Sequence, residues 1–230
     1  MELVYWPIRG RAEYVRWIMK YLGVNYKERN PTSLQQWAQW KSRNSPSNPM
    51  INLPFLKDGD TIVSETVAIV EHICLSANGG RDLLGKGPGA TDKLLIRSID
   101  DSMMGVREFC LTLVGFEEKE MKRAYKKEGL LFQKVIIKVL PLMSFMNPKQ
   151  TWIFDYLTVV DFQLAFVVEI LDFIERYTGL ENPLKAYPIL YQVRDSIFAL
   201  SGVRNYIESQ DFTELSWAPI GSIKFTDKTN

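Results

Sequence analysis

A chain of 230 residues, 46% hydrophobic and 24% charged, carries enough apolar material for a substantial core and is long enough for two modest domains. Its formal net charge of +1 supplies no global field for nucleic acid or an anionic membrane, and the basic stretch Lys119 to Lys127 is interleaved with Glu118, Glu120 and Glu128, the pattern of a solvated helix face. Lys138 and Pro141 interrupt the strongest apolar run, Met1 leads straight into strand-like residues with no signal-peptide pattern, and Cys74 and Cys110 lack any metal-ligand spacing. The expectation is a soluble, cytoplasmic protein with no metal, no nucleic-acid partner and no membrane partner.

Leu3 to Trp6 reads as a first strand. After Arg9-Gly10, the residues Val15, Ile18, Met19 and Leu22 recur at the spacing of an amphipathic helix, which Gly23 ends. Asn25 to Arg29 suits a second strand, and Ser33-x-x-Gln36 is a capping-box signature for a short helix carrying Trp37, Trp40 and Lys41. Phe55 to Lys57 and Thr61 to Val63 flank Asp58-Gly59, a hairpin signal, and an apolar helix runs from near Ser64 to about Ser76. The order βαβαββα is a thioredoxin-like arrangement.

Past Asn78-Gly79-Gly80 and Gly85-Lys86-Gly87-Pro88-Gly89, strand signals vanish and helical patterns continue to about residue 210. The expected division is a thioredoxin-like domain at 1–82, a linker at 83–91 and an all-α domain at 92–230. Thr158-Val159-Val160-Asp161 is a capping-box variant opening Phe162 to Tyr177, apolar on nearly every face up to Glu169 and Asp172, which predicts a central buried helix. The last twenty residues, with Trp217, Pro219 and Phe225, have no period and form either a packed or a disordered tail.

One stretch carries the chemistry. Asn52-Leu53-Pro54 precedes the hairpin, and a cis Leu53-Pro54 bond turns the Leu53 amide and carbonyl toward an extended ligand that can pair with them as an added strand. The Thr66 hydroxyl and the free amides at the next helix start can hold a carboxylate, and the Glu65 side chain can take an ammonium. The combination suits a small, charged peptide. The same pattern also fits an ordinary helix-capped hairpin.

Taken together, Tyr5-Trp6-x-Ile8-Arg9-Gly10, Trp37 with Lys41, Asn52-Leu53-Pro54, Glu65-Thr66 and Thr158-x-x-Asp161 make the chain resemble the cytosolic glutathione S-transferases over essentially its whole length. The resemblance is greatest to the mu class, although Arg9-Gly10-Arg11 is shared with the pi class and Glu65-Thr66 replaces the Gln-Ser usual in mu.

The resemblance implies that Tyr5 hydrogen-bonds the sulfur of glutathione. A donor aimed at sulfur favours thiolate over thiol, and thiolate is the nucleophile. It further implies that Trp37 and Lys41 receive the glycine carboxylate, that Asn52, Leu53 and Pro54 meet the middle of the tripeptide beside Trp6 and Arg11, and that Glu65 and Thr66 hold the γ-glutamyl end. The electrophile is expected to be small and hydrophobic, and glutathione is a co-substrate rather than a resident cofactor.

A homodimer is expected, with Met50 as an apolar key inserted into the partner. Asp101 can reach the ligand amine across the dimer in a sigma-like register, where the mu-like register places Gly105. Leu34 stands where mu enzymes carry an arginine, Gly115 where they carry a second tyrosine, and His72 reads as structural. Three functions compete on this sequence: conjugation to electrophiles, a sigma-like isomerase or peroxidase, and an idle ligand-binding or structural protein on the same fold.

Overall fold

The computed structural model describes residues 1–86, 90–114, 118–127, 135–147 and 149–217. Four short strands make one mixed sheet in the order β2-β1-β3-β4. Strand β1 (Glu2–Val4) runs parallel to β2 (Lys27–Arg29) and antiparallel to β3 (Phe55–Asp58), and β3 pairs antiparallel with β4 (Thr61–Ser64). β1 stops at Val4, two residues earlier than its apolar run, because Pro7 has no amide to extend the ladder. Tyr5 still donates its amide to the Arg29 carbonyl at 3.1 Å. The hairpin closes one residue later than Asp58-Gly59 suggests: Asp58 pairs with Thr61, so the loop is Gly59-Asp60, with Gly59 at φ +59° in the first central position.

A 3₁₀ turn at Gly10–Ala12 leads into α1 (Glu13–Tyr21). This helix is not amphipathic in the way its spacing predicts: every residue from Glu13 to Met19 is buried, since the helix is covered from several sides. Arg16 is tolerated there because its guanidinium meets the Glu13 carboxylate at 2.9 Å, is gripped by Glu28, and donates to the carbonyls of Ile8 and Arg9 at 3.2 and 3.1 Å. The buried ion group thereby fixes the loop between β1 and α1.

Helix α2 (Leu34–Asn44) is capped by the Ser33 hydroxyl, which accepts from the Gln36 amide at 3.1 Å. The reciprocal half is displaced: the Gln36 side chain accepts from the Thr32 amide at 2.8 Å rather than from Ser33. Helix α3 (Thr66–Ser76) begins two residues after the expected start, behind Glu65.

Most of the remaining described chain is helical: α4 (Ala90–Val114), α5 (Glu118–Lys127), a segment at 135–139, α6 (Val159–Thr178), α7 (Pro188–Ala199), α8 (Ser201–Ile207) and α9 (Gln210–Glu214). Helix α6 is the centre, with Val160, Phe162 and Leu164 through Val168 fully buried. Each of these valine, leucine and phenylalanine side chains contributes about 1.5 to 3 kcal/mol when removed from water. Tyr14 and Trp17 of α1 set their rings 6.3 and 6.2 Å from that of Phe166, which welds the sheet's helix to the helical region.

The start of α6 is built as its sequence predicts. The Asp161 carboxylate accepts from the amides of Thr158 and Ile153 at 2.7 and 2.8 Å and from the Thr158 hydroxyl at 2.9 Å. Gly179, at φ +70°, ends the helix.

Of the tail, Ser216 and Trp217 pack against the rest of the protein. Trp217 lies 5.3 Å from Phe166 ring to ring, and Ser216 pairs with Ile8 as an isolated parallel bridge. Pro219 and Phe225 lie outside the described residues, as does the 87–89 part of the expected linker. Both cysteines are free and buried, and burial pushes each thiol up to about 12. No helix among the described residues is long and apolar enough to cross a membrane, and no group of three or more His, Cys, Asp or Glu among them could hold a metal.

Candidate active site

Strand register brings the expected site residues to one end of the sheet. Val4 pairs with Phe55, and Phe55 pairs with Ser64, so Tyr5, Pro54 and Glu65 stand side by side, one residue beyond the paired ends of three adjacent strands. Two interstrand spacings of about 4.8 Å separate the outer two, so this edge spans about 10 Å, close to the length of an extended tripeptide at about 3.4 Å per residue.

Tyr5 is held tightly. Asn30 donates to its carbonyl at 3.0 Å, and the Arg11 amide donates to its hydroxyl oxygen at 3.0 Å. Accepting one hydrogen bond leaves the phenolic hydrogen available to a ligand. Gly10 makes this approach possible: it sits at φ +41°, and a Cβ there would fall 2.6 Å from the Tyr5 hydroxyl. Burial pushes the Tyr5 hydroxyl above its ordinary value, and the Arg11 hydrogen bond and the charges of Arg11 and Arg16 oppose that rise only in part. The phenol therefore stays protonated at neutral pH and acts as a donor.

The middle of the edge is the Leu53–Pro54 peptide, which is cis. The Leu53 amide is occupied by the Asn52 side-chain oxygen at 2.9 Å, so a ligand pairing with it displaces that contact. Trp37 packs beside this segment, its ring 6.3 Å from that of Phe55 and tilted to it by 33°, and the Lys41 ammonium lies 5.9 Å from the Trp37 ring. The indole and the cation thus share one side of the cis-proline strand. Trp6 is buried.

At the far end, Glu65 holds a backbone conformation of φ +70° and ψ 123°, rare for a residue with a Cβ. Such strain persists where the surrounding structure over-determines it, most often at a binding site. Its side chain is exposed, and the conformation turns the chain sharply into α3 at Thr66. The Thr66 hydroxyl accepts from Arg107 Nη2 at 2.9 Å.

Two residues that the sequence reading did not single out complete this end, both on α4. Glu108 binds Arg11 through a two-point contact, with Nη2 and Nε at 2.6 and 2.8 Å from Oε2. It also lies 3.5 Å from Arg107. Burial acts against the charge of Arg11, and the Glu108 carboxylate more than offsets it, so the Arg11 guanidinium is held above its ordinary value. A continuous chain of contacts, Tyr5–Arg11–Glu108–Arg107–Thr66, therefore joins the two ends of the edge.

Other expected residues stand apart. Asp101 is exposed on α4 and paired with Arg97 at 3.4 Å, so within one chain it does not join Tyr5 or Thr66. Met50 is 78% exposed on the loop before Asn52. Leu34 is exposed on the first turn of α2, and Gly105 faces open space. His72, which has no evident partner in its neighbourhood of sequence, places Nε2 3.0 Å from Asp58 across the hairpin, a structural contact. Gly115 lies outside the described residues.

Comparison with known proteins identifies the family. Residues 1–74 match the model of the glutathione S-transferase N-terminal domain. Over 212 residues the chain is 30% identical to glutathione S-transferase Mu 2 of Macaca fuscata fuscata, covering 81% of this chain and 89% of the relative. It is 29% identical over 227 residues to the class-mu 26 kDa isozyme 7 of Fasciola hepatica, covering 96% of this chain and 95% of that one. Hematopoietic prostaglandin D synthase of Gallus gallus is 23% identical over 225 residues, covering 93% and 98%. A thioredoxin-like sheet domain followed by a helical region, together with these relatives, places the chain in the glutathione S-transferase family, with its likeness directed to the mu class.

Proposed function

We propose that the protein is a glutathione transferase that binds glutathione along the Tyr5–Pro54–Glu65 edge, ionises its thiol and adds the sulfur to a small hydrophobic electrophile. The observation that carries this reading is the register that aligns a buried, protonated phenol, a cis-proline backbone and a helix start within about 10 Å. The tripeptide lies extended across the edge. Its γ-glutamyl end meets Glu65 and Thr66, its middle meets the backbone of Leu53, and its glycine carboxylate reaches the Trp37 indole and the Lys41 ammonium.

Tyr5 then faces the sulfur and donates to it, so the thiolate is favoured without a base that must itself change protonation. Arg11 positions the phenol through its backbone amide. Residues 1–82 bind the peptide in this reading, and the helical region at 92–230 shapes the electrophile pocket. The protein is placed in the cytoplasm, where glutathione is abundant and its buried cysteines stay reduced.

The active species is a homodimer. Exposed apolar side chains favour it: Met50 at 78%, Leu94 at 67% and Leu75 at 45% are costly to leave in water. Asp101 contributes to the ligand amine from the partner if the dimer brings it there.

A second reading, isomerisation of a lipid peroxide by the same thiolate, is favoured by the likeness to the prostaglandin D synthase. Titration of reduced glutathione by calorimetry, followed by chlorodinitrobenzene turnover, tests the first reading. Saturable binding and thiolate-dependent turnover are expected. Binding without turnover, with isomerase or peroxidase activity toward a lipid peroxide, would favour the second, and no binding at millimolar glutathione refutes both.

A further inference from the structure

Arg107 is wholly buried, yet its guanidinium is only partly engaged. Nη2 donates to the Thr66 hydroxyl at 2.9 Å and stands 3.5 Å from Glu108, while Nε and Nη1 find no hydrogen-bond partner among the described residues. The guanidinium lies over the Tyr14 ring at 4.6 Å, which fixes its plane. A cation removed from water in this way is costly unless anions compensate it.

The hydrogen-bonding anions are unevenly shared. Glu108 is shared by two arginines, and its shorter contacts, at 2.6 and 2.8 Å, go to Arg11. Asp100, the other carboxylate whose field reaches Arg107, is tied to the Gln163 amide. Arg107 therefore has no carboxylate in close hydrogen-bond contact of its own, and the Thr66 hydroxyl at the start of α3 is its closest polar contact.

A threonine hydroxyl has one hydrogen and two lone pairs. Arginine can only donate, so the bond from Arg107 occupies a lone pair of Thr66 and leaves the Thr66 hydrogen directed elsewhere. Accepting from a cation also polarises the hydroxyl and strengthens its donation to an anion.

We propose that Arg107 is a positioning residue that, acting through Thr66, sets the site's preference for a peptide whose first residue carries a free α-carboxylate. The inference rests on the glutathione reading of this edge and goes beyond it. Arg107 does not touch the ligand; it orients and polarises the group that does. Its effect is therefore confined to ligands that present that carboxylate.

The test uses the full chain and two peptides, glutathione and its analogue in which γ-aminobutyryl replaces γ-glutamyl, which keeps the amine and lacks the α-carboxylate. Calorimetry on the parent protein should show a preference for glutathione of about ten-fold or more, the worth of a hydrogen bond to a charged group. Arg107→Met should shrink that preference to about two-fold or less, chiefly by weakening glutathione. Arg107→Lys, which keeps a buried cation but cannot reproduce the planar contact, should retain it only in part.

Equal weakening of both peptides by Arg107→Met would show a merely structural role and overturn the inference, as would an unchanged preference. Should the methionine variant fail to fold, Thr66→Val decides: it leaves Arg107 in place and should abolish the preference, and full retention overturns the inference. A parent protein that binds neither peptide brings down the glutathione reading itself, an outcome distinct from a parent that binds both equally.

Discussion

Replacing Tyr5 with phenylalanine removes a single oxygen, and with it the hydroxyl donor, from a wholly packed position. Because the ring is 2% exposed and Gly10 abuts it, the phenylalanine ring has no other place to go, so the change isolates the hydroxyl. A hydrogen bond to a charged acceptor contributes about 1.5 to 3 kcal/mol. At about 1.36 kcal/mol per pKa unit, the bound thiol falls from about 8.5 to between about 6.3 and 7.4. The thiolate fraction at neutral pH then rises from about 3% to between about 30% and 80%. Tyr5→Phe should therefore slow chlorodinitrobenzene conjugation about ten- to twenty-five-fold at neutral pH, and by less than about two-fold near pH 9, where the free thiol ionises unaided. Glutathione affinity should change little. The direct readout is the pH dependence of the thiolate ultraviolet absorbance in the binary complex, whose midpoint should move up by about one to two units. A uniform loss of rate at all pH values, with the midpoint unmoved, refutes the role of Tyr5 as the donor that ionises sulfur.

Three further outcomes are expected. Met50→Glu places a charge on a side chain that is 78% exposed in the single chain, so size-exclusion chromatography should show a shift toward monomer; a persistent dimer removes Met50 from the interface. Asp161→Ala strips the partner from two amides and one hydroxyl at the start of α6 and should cost about 3 kcal/mol or more in urea unfolding, and a loss below about 1 kcal/mol contradicts the cap. Burial raises Asp100 from 3.8 to about 6, so the folded state binds its proton more readily than the unfolded one, and the stability this supplies is full below about pH 3.8 and lost as pH rises through about 6. The stability of Asp100→Asn should accordingly gain about 3 kcal/mol on the parent between about pH 4 and pH 7, and a difference that stays flat disproves the burial effect.

What could be read from sequence was whatever depends on neighbours along the chain. The Thr158-x-x-Asp161 cap, the turn at Gly59 and the length of α3 all follow from residues within a few positions of one another, and the structure builds each within one or two residues of its expected place. The pairing of Pro54 with Glu65 was accessible for the same reason, because a tight hairpin leaves little choice of register, whereas Tyr5, on a strand that pairs far along the chain, joined them only through the family resemblance. Arg107 and Glu108 were not. They lie 41 and 97 positions from their partners Thr66 and Arg11, on a helix whose polar residues look like any solvated face until tertiary packing turns two of them inward. Arg16 was hidden similarly, since a buried arginine contradicts helical periodicity and is rational only once Glu13 and Glu28 are seen around it.

The bridge between Ile8 and Ser216 has a temporal consequence. During synthesis the loop behind Tyr5 emerges early, yet the strand-like partner that steadies it, and the Ser216 carbonyl that receives the Arg9 amide at 3.0 Å, leave the ribosome about two hundred residues later. At about 5 to 20 residues per second, that interval lasts about 10 to 40 s. The sheet can assemble on the nascent chain well before then, but the reactive corner matures only after translation has passed the final helices, so the newborn protein acquires its shape before it acquires its finished catalytic wall.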